Sequence, residues 1–334
     1  MDKIVFFELE KWEEEYIRKV FPTNNNFIYR SDNLTENNIA EVSDTNILST
    51  FIYSTLNQQL LSKLPKLRFI ATRSTGFDHI DISYCKKNNV TVSNVPTYGI
   101  ETIAEHTFAL ILAFSRKIIP SIEQTKRGDF SLDRLRGFEL AGKTLGIIGF
   151  GHIGKRVVQL AKTFQMKIIV HTQHPDENIA QQWGIQFIDL TTLLQTSDIV
   201  SIHAPLTSTT KHLLNKTNIL NMKKGAFLIN TARGAIVETE AIVLALEKGI
   251  LSGVGLDVLE EECIMKEERE LLTKEFLQTC DLKTQLLNHV LLTKENVFIT
   301  PHNAFNSHEA LKQILDVTIE NIKGFLDGKP QNIV

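Results

Sequence analysis

The stretch from Thr144 to Thr172, TLGIIGFGHIGKRVVQLAKTFQMKIIVHT, leaves few folds open to this chain. Leu145 to Ile148 is a short apolar run of the kind that forms a buried parallel strand, and it breaks at Gly149. Gly149, Gly151 and Gly154 follow in a G-x-G-x-x-G frame, ahead of an amphipathic run with Val157, Val158, Leu160 and Ala161. A second apolar run, Lys167 to His171, restarts the strand pattern. Strand, tight turn, helix and strand in this order make a dinucleotide-binding fingerprint. Gly149 permits the turn, Gly151 leaves room for a pyrophosphate, and Gly154 lets the helix close onto the strand. The N–H groups of the first helical turn, at His152 and Ile153, then receive the phosphate charge. A glycine triplet alone occurs in ordinary loops; here the flanking elements give it meaning.

The 334 residues are enough for two domains. A hydrophobic content of 43% with 22% charged residues is that of a soluble globular protein. The net charge of −3 gives no reason to expect a nucleic acid or an anionic membrane as partner. The opening MDKIVFFELEKWEEEY meets acidic residues too early for a signal peptide, and no apolar run is long enough to span a bilayer. Cys85, Cys263 and Cys280 are an odd number without metal-site spacing, which favours free thiols and a cytoplasmic location. His106, His152, His171, His174 and His308 form no metal constellation, so no metal is expected.

Before the fingerprint, strand patterns at Ile4 to Phe7, Phe27 to Tyr29, Ile47 to Tyr53, Leu67 to Thr72 and Val90 to Val92 alternate with helical ones. The helical stretches are Glu10 to Val20, Leu34 to Val42, Leu56 to Leu61 and Ile80 to Asn88. This predicts a small α/β domain over the first hundred residues. Glu101 to Ile119 predicts one long helix, apolar around much of its circumference, buried between domains or at a subunit interface. Ser121 to Gly142 is charged and irregular. After Thr172 the rhythm continues through strands at Ile185 to Phe187, Ile199 to His203, Ala226 to Asn230, Leu251 to Leu256 and Asn296 to Thr300. Helices are expected at Asp189 to Thr196, Thr217 to Asn221, Glu238 to Lys248 and Glu309 to Leu326, with a polar, helical excursion from Glu260 to Lys294.

Further motifs surround the fingerprint: RSTGFDHID from Arg73, NVPTY from Asn94, AEH from Ala104 and DIVSIHAPLT from Asp198. FLINTARG from Phe227, GLDVLEEE from Gly255 and ITPHNAF from Ile299 complete the set. In this order they resemble the D-isomer-specific 2-hydroxyacid dehydrogenases over nearly the whole chain. The resemblance implies two doubly wound parallel-sheet domains, a Rossmann-type coenzyme domain inserted into a flavodoxin-like substrate domain. Residues 1–100 and 301–334 would form the substrate domain, and 101–300 the NAD-binding domain. It also implies a homodimer.

On composition alone, Arg233 reads as a surface charge, Glu260 to Glu262 as a solvated face, and His302 as a helix cap. The resemblance implies instead that Arg233, Glu262 and His302 are catalytic; a spacing of five residues after Asp257 selects Glu262. A guanidinium holds a 2-oxo acid by its carboxylate with bidentate geometry. A histidine gives and retakes the hydroxyl proton, and a carboxylate beside it favours the protonated ring. Backbone N–H groups at Thr75 and Gly76 would hold the carboxylate's other end. His203, Pro205, Thr231, Ala232 and Asp257 would join Gly149, Gly151, His152, Ile153, Gly154 and Thr172 around the coenzyme.

Tyr98, the long excursion after Cys263 and the HNAF sequence resemble the D-lactate branch, which implies reduction of pyruvate to D-lactate. Glyoxylate, hydroxypyruvate and 2-oxoisocaproate are the nearest alternative substrates. Formate or phosphite oxidation, and a dinucleotide-sensing binding protein without turnover, are the more distant ones. NAD-specific relatives carry an acid where this chain has Thr172, with Asp176 four residues further on. The resemblance to the D-lactate branch implies NAD, and the missing acid leaves NADP as a secondary coenzyme helped partly by His171 and His174.

Overall fold

In the computed structural model, which describes residues 2–22, 26–261 and 281–334, the apolar runs form two all-parallel sheets. The strands are β1 (Ile4–Phe6), β2 (Phe27–Tyr29), β3 (Ile47–Thr50), β4 (Phe69–Thr72), β5 (Thr91–Ser93) and β6 (Thr144–Ile148). They continue with β7 (Lys167–His171), β8 (Gln186–Phe187), β9 (Ile199–Ile202), β10 (Ala226–Asn230), β11 (Leu251–Leu256) and β12 (Val297–Ile299). The helices are α1 (Lys11–Val20), α2 (Gln58–Leu61), α3 (Ile82–Lys87), α4 (Ile100–Ser115), α5 (Ile118–Lys126) and α6 (His152–Thr163). After these come α7 (Glu177–Trp183), α8 (Leu190–Thr196), α9 (Thr239–Glu247), α10 (Leu282–Leu292) and α11 (His308–Leu326).

The chain divides into two compact units: Met1–Gly99 with Asn306–Val334, and Ile100–Phe305. In the first, the sheet order is β2-β1-β3-β4-β5. Successive side chains of β1 serve opposite faces. Val5 joins a core with Leu48 and Ile70, while Ile4 and Phe6 pack with Leu315, Ile319 and Ile322 of α11. In the second unit the order is β12-β11-β10-β9-β6-β7-β8. Leu228 of β10 faces one core and Ile229 the other, and both are fully buried. Burial on both faces is what an all-parallel sheet requires, and each such side chain contributes about 1.5–3 kcal/mol.

Several expected elements differ in the structure. Leu34 to Val42 contains only a 3₁₀ turn, Ile39–Val42. The Asn33 carbonyl is taken by Asn38 Nδ2 (2.8 Å) and the Asn37 N–H by Thr35 Oγ1 (3.3 Å), the two groups that a first helical turn would join, so side chains compete with the helix. The single helix expected from Glu101 to Ile119 divides at Lys117, whose φ is +52°. Pro120 explains the break, because a continuous helix would drive its ring into the carbonyl of Arg116. The chain then runs helically to Lys126 instead of becoming irregular at Ser121. The apolar circumference of α4 is used within its own unit: Phe108, Ile111 and Phe114 pack with Leu145 and Ile147. Exposed apolar side chains follow it, at Ile118, Ile122, Phe130 and Leu132. Helix α7 was not anticipated, although Asp176 as N-cap and left-handed Gly184 at its C-cap mark its ends. No helix among the described residues is long and apolar enough to cross a membrane.

Candidate functional site

Strands β6 and β9 are neighbours at the point where the order of the second sheet reverses, the place where open α/β sheets bind ligands. The glycine turn lies there. Gly149 has φ +97°, and a Cβ on it would lie 2.6 Å from the His203 carbonyl. A Cβ on Gly154 would collide with the carbonyl oxygen of Gly149. At Gly151, the N-cap of α6, a Cβ would meet nothing within 4 Å. Open space thus lies beside the N–H end of a twelve-residue helix with no acidic residue in its first turn. His152 is exposed there, and half-buried Ile153 packs on the core. These features fit a dinucleotide pyrophosphate.

His203 closes the other side of the turn, with Nε2 2.8 Å from Ser201 Oγ. Burial holds its imidazole down at about 3, so it is neutral near pH 7. The carbonyl of Pro205 accepts a hydrogen bond from Thr210 Oγ1 (2.6 Å), which fixes the following loop. Thr172 follows β7 directly and is half-buried, its Oγ1 accepting from the N–H of His174 (3.4 Å). Asp176 is engaged elsewhere, capping α7 through the N–H groups of Asn178 and Ile179. His171 donates from Nδ1 to the Ile188 carbonyl (3.1 Å).

Two loops carry the polar residues expected to react. After β10, Asn230 Oδ1 accepts from the Ala232 N–H (3.0 Å) and its Nδ2 donates to the Arg233 carbonyl (2.9 Å), closing the turn. Thr231 is buried, with its Oγ1 3.0 Å from Thr107 Oγ1. Arg233 is half-buried and donates from Nη1 to the Ala232 carbonyl (2.7 Å). After β12, His302 is half-buried with φ +51°, a conformation costly for any residue with a Cβ. Asp257 holds it there. The His302 N–H donates to the Asp257 carbonyl, and the buried Asp257 carboxylate accepts from Thr300 Oγ1 (2.5 Å), the Asn303 N–H (3.0 Å) and the Ala304 N–H (2.9 Å). Its oxygens thus tie together the turn that carries His302. Asn303 Oδ1 is buried without a hydrogen-bond partner among the described residues, an acceptor suited to a ligand amide.

Glu262 lies outside the described residues. Its neighbour Glu260 is anchored: the carboxylate accepts from the Thr239 N–H (2.9 Å) and Oγ1 (3.0 Å) and pairs with His212. Sequence reasoning missed the turn-closing role of Asn230 and the free acceptor of Asn303. Asn230 had left a signal, since an amide ending a strand before a turn often bridges it.

In the first unit, Thr75 and Gly76 follow β4. Their carbonyls accept from Asn94 Nδ2 (2.8 Å) and Ser74 Oγ (2.6 Å), and Thr75 Oγ1 donates to the Val95 carbonyl (2.7 Å). Among the described residues, the N–H groups of Thr75 and Gly76 have no protein acceptor. Arg73, fully buried, supports this turn from behind by donating to the Phe7 and Glu8 carbonyls (2.8 and 2.7 Å). Tyr98 is half-buried four residues after Asn94.

Comparison with known proteins agrees with this arrangement. A sequence model described as D-isomer specific 2-hydroxyacid dehydrogenase, NAD binding domain, matches residues 108–304. A glyoxylate reductase of Aeropyrum pernix is 36% identical, over 89% of this chain and 84% of its own. A D-lactate dehydrogenase of Escherichia coli is 30% identical, over 98% of both chains. The crystal structure of a D-lactate dehydrogenase from Aquifex aeolicus, complexed with NAD and lactic acid, is similar with a TM-score of 0.86. It is 34% identical, and the match covers 98% of this chain and 96% of that one. The chain therefore belongs to the D-isomer specific 2-hydroxyacid dehydrogenases, NAD-dependent enzymes of small 2-oxo and 2-hydroxy acids, and residues 108–304 match the family's NAD-binding domain.

Proposed function

We propose that the enzyme reduces pyruvate to D-lactate with NADH. In this reading Gly149, Gly151, Gly154 and the N–H end of α6 hold the pyrophosphate, and Thr172 meets the adenosine ribose. When bound, NADH supplies the hydride that the carbonyl carbon accepts. Arg233 holds the substrate carboxylate by a planar fork; Thr75 and Gly76 are assigned to carboxylate binding by their motif positions. His302 gives its proton to the carbonyl oxygen, which becomes the hydroxyl of the product, and recovers it in the reverse direction. Glu262 is assigned by its motif position to the partner of that imidazole.

The observation that favours pyruvate is Tyr98. It follows the segment bonded to the Thr75 turn, and an aromatic ring beside the substrate would suit a methyl group better than a charged or phosphorylated substituent. Glyoxylate is the second reading, favoured by the Aeropyrum relative. Initial rates of NADH oxidation across pyruvate, glyoxylate, hydroxypyruvate and 2-oxoisocaproate decide between them. The highest kcat/KM should belong to pyruvate, and a higher value with glyoxylate would replace the assignment.

Coenzyme choice should be relaxed. With Asp176 committed to α7 and Thr172 in the acidic position, no carboxylate repels a 2′-phosphate. No Arg or Lys follows in the loop to pair with it either. NADH should be preferred, with measurable NADPH use. The ratio of kcat/KM for the two coenzymes checks this. An NADPH preference above about tenfold, or no NADPH use, would contradict it.

We also propose a homodimer. The proposed interface includes or adjoins Glu101 to Ile119, in or beyond which exposed apolar side chains include Ile118, Ile122, Phe130 and Leu132, of which the last two are 79% and 85% exposed. Sedimentation equilibrium should give twice the single-chain mass at micromolar concentration, and a monomer would refute it.

A further inference from the structure

The AEH motif has no part in the reaction so far, yet it lies on a helix that touches both reacting loops. His106 and Thr107 are consecutive on α4. His106 Nε2 lies 3.1 Å from Thr300 Oγ1 and 3.5 Å from Asp257 Oδ1. Thr300 Oγ1 already donates to Asp257, so at this contact it accepts, and His106 Nε2 carries the hydrogen. Thr107 is fully buried, and its Oγ1 donates to the Ile103 carbonyl (2.8 Å) within the helix. It therefore accepts from Thr231 Oγ1, two residues before Arg233. One helix thus binds the start of the Arg233 loop and, through Thr300 and Asp257, the left-handed turn of His302.

We propose that His106 and Thr107 are positioning residues of the reaction. His106 completes the clamp on the His302 turn, and Thr107 sets the loop that carries Arg233. Neither touches the substrate; each acts through the residue it orients. The inference rests on the assignment of His302 as acid–base group and Arg233 as carboxylate ligand. It gives the two neighbours different signatures. Loss of the His106 contact frees the proton donor and lowers kcat, whereas loss of the Thr107 contact loosens carboxylate binding and raises KM. A misplacement of about 1 Å in such a site costs up to about 10²-fold.

The test compares His106→Leu, His106→Gln and Thr107→Val with the wild-type enzyme. Leucine removes the donor, and glutamine returns an N–H donor at similar reach. Valine keeps the shape of threonine without its hydroxyl. Kinetics use the best 2-oxo acid and saturating NADH, and hydrogen exchange is followed in the peptide covering residues 300–305 of the coenzyme-free protein. His106→Leu should lower kcat by about fivefold or more and speed exchange at Asn303 and Ala304, with His106→Gln restoring both. Thr107→Val should raise KM with kcat nearly unchanged. Unaltered exchange in His106→Leu would overturn the clamp. Faster exchange with wild-type kcat would overturn its catalytic role, as would a loss of thermal stability alone. Equal KM and kcat effects in both variants would overturn the division of labour. If wild-type enzyme turned over none of the 2-oxo acids, the functional assignment would fail first, while the exchange measurement would still judge the clamp.

Discussion

Replacing His302 by alanine should lower turnover of the preferred 2-oxo acid by about 10²–10⁴-fold, the range lost with a general acid. The loss should fall on kcat. Coenzyme affinity, read from quenching of intrinsic fluorescence by NADH, should remain, because His302 lies outside the Gly149 to Gly154 turn. The fold should also survive. The N–H groups of Asn303 and Ala304 and the hydroxyl of Thr300 still reach the Asp257 carboxylate when the imidazole is gone. Stopped-flow single turnovers separate the chemical step from product release. A variant with wild-type turnover would remove His302 from the mechanism.

Arg233→Lys tests the other half of the site. Lysine keeps the positive charge but loses the planar fork and the Nη1 hydrogen bond to the Ala232 carbonyl that orients it. Weakening a desolvated pair of this kind costs at least about 2 kcal/mol, or ~30-fold in kcat/KM. Most of that loss should appear in KM for the oxo acid, with KM for NADH little changed. Unchanged kcat/KM would reduce Arg233 to a solvated charge.

The parts of this fold that were legible in the sequence are those fixed by local rules. Ala226 to Asn230 and Leu251 to Leu256 have the same bounds as sequence patterns and as strands, because short, largely apolar stretches between turn residues have little choice. The fingerprint was legible because Gly149 and Gly154 answer to sterics that no other residue satisfies. Patterns that depend on competition were misleading. Leu34, Ile39 and Val42 have helical spacing, yet the Asn38 side chain takes the Asn33 carbonyl that the first helical turn would need. Glu101 to Ile119 read as buried between domains or at a subunit interface; the folded chain uses Phe108, Ile111 and Phe114 of that stretch to fill a core with β6. In the candidate site, residue types could be read from the motifs, whereas their commitments could not. That Asp257 is occupied by Thr300, Asn303 and Ala304, and Asp176 by α7, depends on turns that only the folded chain brings into register.

The C-terminal segment has a consequence for the order of assembly. Helix α11 supplies Leu315, Ile319 and Ile322 to the core against Ile4, Phe6, Ile47 and Phe69. Beyond it, Ser93 and Ile333 form an antiparallel bridge, and Asn94 and Val334 make backbone bonds across the outer edge of β5. Until that segment has been synthesised, the first sheet stands with one apolar face bare and an open edge, the features that invite self-association. The unit from Ile100 to Phe305, by contrast, is continuous in sequence and has all its strands before α11 emerges. During translation, then, the domain that begins first is the one completed last, and its early strands are the part of the nascent chain most in need of shielding.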